Sequence, residues 1–206
     1  MARSTSSLAP RPGPRPVLSG NNAGMAGVSE PMQALYEGDR DRAERLLDER
    51  GELDIFEAAA FGRTERVREL LDAAPELATA FSPDGFTALH FTAFFAQPEA
   101  ARLLLERGAD ARARARNDMK VEPLHSAAAA DQTDISRLLL DAGADPNAMQ
   151  EGGFVALHAA AQNGNAELTA LLLERGADTA LEADDGRAAA AVAREAGHGQ
   201  LADSLA

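Results

Sequence analysis

Thr87-Ala88-Leu89-His90 returns as Glu122-Pro123-Leu124-His125 and again as Val155-Ala156-Leu157-His158. The three histidines stand 35 and 33 residues apart. At one fixed offset each copy is followed by a second run: Leu104-Leu105-Glu106-Arg107-Gly108-Ala109-Asp110, Leu139-Leu140-Asp141-Ala142-Gly143-Ala144-Asp145, and Leu172-Leu173-Glu174-Arg175-Gly176-Ala177-Asp178. A unit of this length is too small to bury its own apolar face, so neighbouring copies must stack into one continuous core.

The second run extends backwards. Val67, Leu70 and Leu71 lie 34 residues before Ala101, Leu104 and Leu105, and Leu46 and Leu47 lie 24 residues before Leu70 and Leu71. Gly38 precedes Gly62 by the same 24, so the first copy is short. Each copy is predicted to hold two helices. In the third they are expected at about 88–95 and 98–106, with Thr87 capping the first, Pro98 in the first turn of the second and Gly108 stopping it. Ala100, Leu103 and Leu104 then share one buried stripe.

Composition narrows the function. The 206 residues contain no cysteine, which excludes disulfides and thiolate chemistry and points to no oxidising compartment. A cytoplasmic protein is the expectation. The formal net charge is −13, a surface that repels nucleic acid and anionic membranes, so neither is an expected partner. With no Trp and few aromatics, the core must be built from Ala and Leu, which suits closely packed helices. No apolar run is long enough to span a bilayer, and the N-terminal MARSTSSLAPRPGPRP is basic but has no apolar stretch behind it, unlike a secretory signal. Residues 1–28, rich in Ser, Pro, Gly and Asn, are expected to be a disordered tail. Met25, just ahead of the first periodic segment, is a second candidate start.

A period of about 33 residues carrying T-P-L-H-x-A resembles the ankyrin-repeat signature. The resemblance covers about residues 30–206, in units at about 30–50, 51–82, 83–114, 117–149, 150–182 and 183–206. It implies an all-α solenoid of about six stacked helix-turn-helix units, forming one domain over 29–206, with hairpin loops projecting as fingers. It also implies that the first helices and the fingers line a concave groove that binds other proteins. Three places depart from the pattern. Leu53-Asp54-Ile55-Phe56 replaces the motif in the second unit. Lys120 replaces the glycine matched by Gly85, Gly153 and Gly186, in a unit longer by two residues. Asp131 replaces the glycine matched by Gly62, Gly164 and Gly197, so that turn must take left-handed geometry without glycine, which Asp tolerates better than most residues.

Chemistry finds little support. His90, His125 and His158 cannot share a metal, because stacked units stand about 10 Å apart and zinc needs its ligands at about 2 Å. Each imidazole is expected to bond backbone and lock its turn. His125-Ser126 is the one Ser-His neighbour pair, and adjacent helical residues point apart. Gly152-Gly153 opens no phosphate loop. The sequence predicts no enzyme, no cofactor and no metal.

The predicted binding residues fall into three groups. Phe94 and Phe95 occupy the register of Gln162 and Asn163, where groove residues of the resembled family lie, whereas Phe91 faces the core. With Phe61, Phe86, Met119, Val121, Met149 and Phe154 they are expected to form an apolar strip along the groove, as interface cores favour aromatics and Met. Arg112, Arg114, Arg116 and Lys120 alternate with alanines, which would place the arginines on one face of an extended finger, either to read acidic groups or to pair with Asp110 and Asp118. Glu151, Glu182, Asp184 and Asp185 make the C-terminal end acidic. The expected function is non-enzymatic binding of a partner protein by a monomer, the partner carrying an apolar anchor and a basic flank. A regulatory or inhibitory subunit of an enzyme would use the same groove, and an enzyme with an unrecognised site is a further class.

Overall fold

The computed structural model describes residues 27–206. The expected tail therefore lies outside the described residues up to position 26. Twelve α-helices follow among the described residues, and taken in order they form six pairs: α1 (Glu30–Tyr36) with α2 (Arg40–Arg50), α3 (Ile55–Ala60) with α4 (Thr64–Ala73), α5 (Ala88–Phe94) with α6 (Pro98–Glu106), α7 (Pro123–Ala129) with α8 (Thr133–Asp141), α9 (Ala156–Asn163) with α10 (Ala166–Glu174), and α11 (Ala189–Glu195) with α12 (Gly199–Ser204). The expected helix at 98–106 appears with those bounds, and its partner ends one residue early, at Phe94. Ala100, Leu103 and Leu104 are buried as the period requires. Gly108 stops α6 in the left-handed conformation (φ 88°), and the Ala109 N–H closes back on the Leu104 carbonyl at 2.9 Å.

The pairs stack in two rows. Helices α3, α5, α7, α9 and α11 follow one another in an inner row, and α4, α6, α8 and α10 in an outer row. Alanines set the inner row's close approach: Ala59, Ala93, Ala127, Ala160 and Ala193 are fully buried and add no bulk beyond a methyl. Leucines fill the layer behind them, Leu89, Leu104, Leu124, Leu139, Leu157 and Leu172 all lying below 2% exposure. Each such leucine contributes roughly 1.5–3 kcal/mol of burial. α1 and α2 pack chiefly on each other, and ion pairs tie α2 to the second pair, Arg50 reaching buried Glu57 at 2.6 Å. Asp39 accepts from the Arg42 N–H at 3.0 Å, and Arg42 pairs with Glu37 at 2.9 Å. α12 at the other end buries little beyond Ala202 and the following Leu205.

The turns between paired helices share one left-handed position, held by Gly38, Gly62, Ala96, Asp131, Gly164 and Gly197. At Gly62 a Cβ would meet only the end of the Gln97 side chain, which can swing aside, so glycine serves the conformation there; at Gly164 it would stand 2.4 Å from the His198 ring, and space adds to the requirement. Asp131 takes the left-handed geometry its register demanded (φ 62°), and so does Lys120 (φ 49°). Ala96 (φ 59°) stands at the same position in its own turn, a third substitution that the sequence reading passed over. Among the described residues no helix is long and apolar enough to cross a membrane.

Candidate functional site

The loops between pairs project as fingers, and the three motif histidines tie each inner helix to its own finger and to the next. Each Nδ1 accepts the backbone N–H three residues earlier: Thr87 to His90 at 3.2 Å, Glu122 to His125 at 3.0 Å, Val155 to His158 at 3.1 Å. Each Nε2 meets a carbonyl of the following finger: Val121 at 3.1 Å, Ala148 at 2.8 Å and Arg187 at 3.0 Å. A ring that accepts on Nδ1 and donates from Nε2 is the neutral tautomer. Burial agrees, holding His90 down to about 4 and lowering His125 and His158 as well. The fingers are also joined directly. The Arg116 N–H donates to the Gly85 carbonyl at 2.8 Å, Glu151 to Met119 at 3.0 Å, and Asp184 to Gly152 at 2.9 Å.

The residues of the expected apolar strip separate into two groups. Phe61 is 3% exposed, in one core cluster with Met32, Leu35 and Phe91, and Val121 is 9% exposed. Both were expected on the groove surface, and both belong to the core. Phe86 packs edge-on against Phe91 at 5.8 Å and beside His90 at 5.6 Å. Phe95 meets the ring of Tyr36 at 6.1 Å and packs against the core. The Tyr36 hydroxyl donates to Asp84 on the fingertip at 2.6 Å. The first helix therefore reaches across to the third pair and covers that part of the groove. Phe94, half-buried and edge-on to Phe95, lies at the margin of this packing. Met119 and Met149, by contrast, are the exposed large hydrophobics among the described residues, at 39% and 44%.

The basic finger alternates in burial, with Ala111 and Ala115 buried and Arg112, Arg114 and Arg116 exposed, although no strand forms there. The guanidinium groups do not share a face. Arg112 donates from Nε to the Gly143 carbonyl at 2.6 Å, Arg114 donates to the carbonyls of Lys120 and Met149 at 3.2 and 2.8 Å, and Arg116 lies 3.8 Å over the Phe81 ring. None of the three guanidinium groups pairs with Asp110 or Asp118 among the described residues, although the Arg112 backbone N–H donates to Asp110 at 2.8 Å. Lys120 pairs with Glu151 at 2.7 Å.

Further along, the angle between finger and inner helix opens. A depression of about 160 Å³ is lined by Ala129, Phe154, Ala159 and Val192 with the polar Gln150 and Gln162. It exists because of side-chain size. Ala129 occupies the register of Phe94, and Ala159 that of Phe91, so methyl groups stand where the third pair has rings. Asn163 donates to the Ala128 carbonyl at 3.0 Å and braces α9 on α7. At the acidic end Asp185 is committed to Arg187 at 2.6 Å, which lowers its pKa, and Arg187 also holds Glu195 at 2.8 Å. Glu182 and Asp184 are exposed and meet no cation among the described residues.

This geometry of paired helices, a histidine ladder and joined fingers agrees with comparison to known families. A family model described as ankyrin repeats (3 copies) matches residues 32–115, 55–150 and 124–206. The chain belongs to the ankyrin-repeat family. Comparison with curated proteins gives no match. Ankyrin repeats are generally protein–protein interaction modules and typically non-enzymatic.

Within that ankyrin scaffold, sequence reasoning missed Tyr36, Ala129, Gln150 and Ala159. The alignment of Phe91 and Phe94 with alanines elsewhere was the signal for the depression, because a small residue at a groove position leaves a gap. Tyr36 gave no such signal, since the first pair lacks the motif that sets the register. Glu122 is a departure within the ladder. It stands in the register of Thr87 with its Oε2 buried and without a hydrogen-bond partner, and burial, with the charge of Asp145 adding, raises its pKa. Among the described residues no cluster of His, Asp and Glu is placed to hold a metal ion.

Proposed function

We propose that the chain binds a partner protein through the open half of its groove, where the depression beside Ala129 and Gln162 receives one apolar side chain. The observation that carries this reading is the coincidence of that depression with exposed Met149, next to Gln150 in its wall, on fingers joined through their backbone. Met is adaptable and enriched at interface cores. A preformed groove keeps the ordering cost of binding low. Exposed Glu182 and Asp184 favour a basic flank on the partner segment, acting on encounter rate and orientation more than on affinity. In this reading residues 29–206 act as one ankyrin domain of six units, a cytoplasmic monomer without cofactor. The aromatic pair Phe94 and Phe95 contributes at the margin only, because Tyr36 already covers Phe95.

Ala129→Phe tests it. Ala129 is exposed, so the substitution adds to the wall of the depression the ring that Phe94 carries at the same register of the third pair. Wild-type protein and an outer-helix variant, Arg102→Ala, should capture the same partner from a lysate of the source organism. Ala129→Phe should weaken that capture by about tenfold or more, the equivalent of about 1.4 kcal/mol. A partner held equally by all three would move the site away from the depression.

A further inference from the structure

Two fingers carry the same pair of rings, and only one of them has a third ring beside the pair. In the third helix pair Phe86 stands 5.6 Å from His90 and 5.8 Å from Phe91, edge-on at 68°. In the fifth, Phe154 stands 5.3 Å from His158, edge-on at 70°. Phe154 and His158 hold the registers of Phe86 and His90. The register of Phe91 is held by Ala159, which lines the depression together with the Phe154 ring. The missing ring and the depression coincide.

The space fits one ring. The depression holds about 160 Å³, and an apolar cavity of about 150 Å³ takes up benzene. Arg187 lies 5.9 Å from the Phe154 ring, which still lines the depression. His125 and His158 also line it, and both use their two ring nitrogens on backbone, so they offer an incoming group no free polar atom. Gln150 on the finger and Gln162 on α9 stand in the wall, with amides able to bond a peptide main chain on either side of an anchor. The charge beside the ring is negative. A Cβ on Gly153 would stand 2.8 Å from the Asp184 Oδ1, so that carboxylate lies against the residue preceding Phe154. Glu182 and Asp184 are both exposed, in a chain whose net charge is −13.

We propose that the partner segment anchors with a phenylalanine side chain, which takes beside Phe154 the place that Phe91 takes beside Phe86, and that an arginine or lysine close to it in sequence faces Glu182 and Asp184. The inference rests on the reading of that groove as a binding surface, and it names the chemistry the surface selects. Edge-to-face rings attract beyond the area they bury, so a phenyl group is preferred to an aliphatic one. An indole adds a second ring for which the depression has no room. An acidic flank is rejected, because like charges meet at Asp184.

The probes are blocked pentapeptides titrated into the isotope-labelled full-length protein: Gly-Phe-Gly-Arg-Arg, and counterparts with leucine or tryptophan for the phenylalanine or glutamate for both arginines. The phenylalanine peptide should shift the amides of Phe154, Ala159 and Gln162 saturably, with outer helices α6 and α8 unmoved. Leucine or tryptophan should weaken binding by about threefold or more. Glutamate for arginine, or added salt, should weaken it as well. Ala159→Phe supplies the ring from within, so there the phenylalanine peptide should lose about tenfold or more in affinity. The peptide series on the unmodified chain decides even where that variant fails to fold. No saturable shift, equal affinity for the three apolar anchors, or binding that survives in folded Ala159→Phe would overturn the proposal. Concentration-dependent shifts of the same amides without peptide would make the occupant a second copy, and overturn it too. Protein capture lost on Ala129→Phe with no preference among the peptides keeps the groove and rejects the phenylalanine anchor. A preference for the phenylalanine peptide with capture unchanged does the reverse.

Discussion

Around the third helix pair, Tyr36, Phe86 and Phe95 fill the angle between finger and inner helix; between the fourth and fifth, Ala129 of α7 and Ala159 of α9 stand in the registers of Phe94 and Phe91 and leave it open. The two halves share a histidine ladder, finger-to-finger hydrogen bonds and the same alanine and leucine layers. What differs is side-chain volume at two positions of the inner row, one on α7 and one on α9, and what the chain's own first helix does with the result. Aromatic density marks the half that is already occupied. The depression lies where the aromatics give way to alanine.

The ladder offers the harshest way to break this comparison, because it runs through both halves. His90 is held at about 4 against an ordinary 6.5. The unfolded chain takes up that proton below pH 6.5 while the folded one resists it, so stability is fully present above 6.5 and is lost as pH falls towards 4. The shift corresponds to a loss of up to about 3 kcal/mol from this residue, and His125 and His158 act in the same direction. Urea midpoints should fall steeply between pH 6.5 and 4.5 in a single transition. A flat profile, or two transitions, would mean that the ladder does not couple the halves.

Tyr36→Ala and Met149→Ala sharpen the contrast. The first removes a half-buried ring and its bond to Asp84, costing about 2 kcal/mol. The second truncates an exposed side chain and should change stability by no more than about 0.5 kcal/mol. Equal costs in urea unfolding would contradict a closed half and an open one. The smallest effect is a gain. Ala96→Gly relieves a left-handed alanine in the closed half and should stabilise by about 1 kcal/mol. Asp131→Gly should gain less, since Asp tolerates that geometry and accepts from Asn165 at 2.6 Å. Thermal unfolding of the two variants would order them.

The helices of the central pairs were legible because a motif with both caps and a stop repeats at one period. So was the role of the histidines, whose spacing forbids a shared ion and leaves backbone as the partner. The burial of Phe61 and Val121 was not legible, because exposure at a groove register depends on what lies across it. For Phe61 that includes a first pair with no motif to align. Ala96 was not legible either, because an alanine carries no sign of a left-handed backbone and only its register places it in a series of glycines. The arginines were legible as exposed but not as divided, since the carbonyls and ring they meet belong to three different loops.

The bonds that join the fingers run between main-chain atoms: Arg116 to Gly85, Glu151 to Met119, Asp184 to Gly152. Main-chain joints leave most side chains free, except where the backbones approach closely: a Cβ on Gly85 or Gly153 would stand 2.9 Å from main-chain atoms of Arg116 or Asp184. Fingertip residues other than these glycines can therefore change over evolutionary time, or in a designed library, without loosening the frame that presents them. The two-residue expansion near Asn117 sits inside this row, and its finger still makes both of its joints. Such a surface can acquire a new specificity one fingertip at a time, because its geometry is inherited separately from its chemistry.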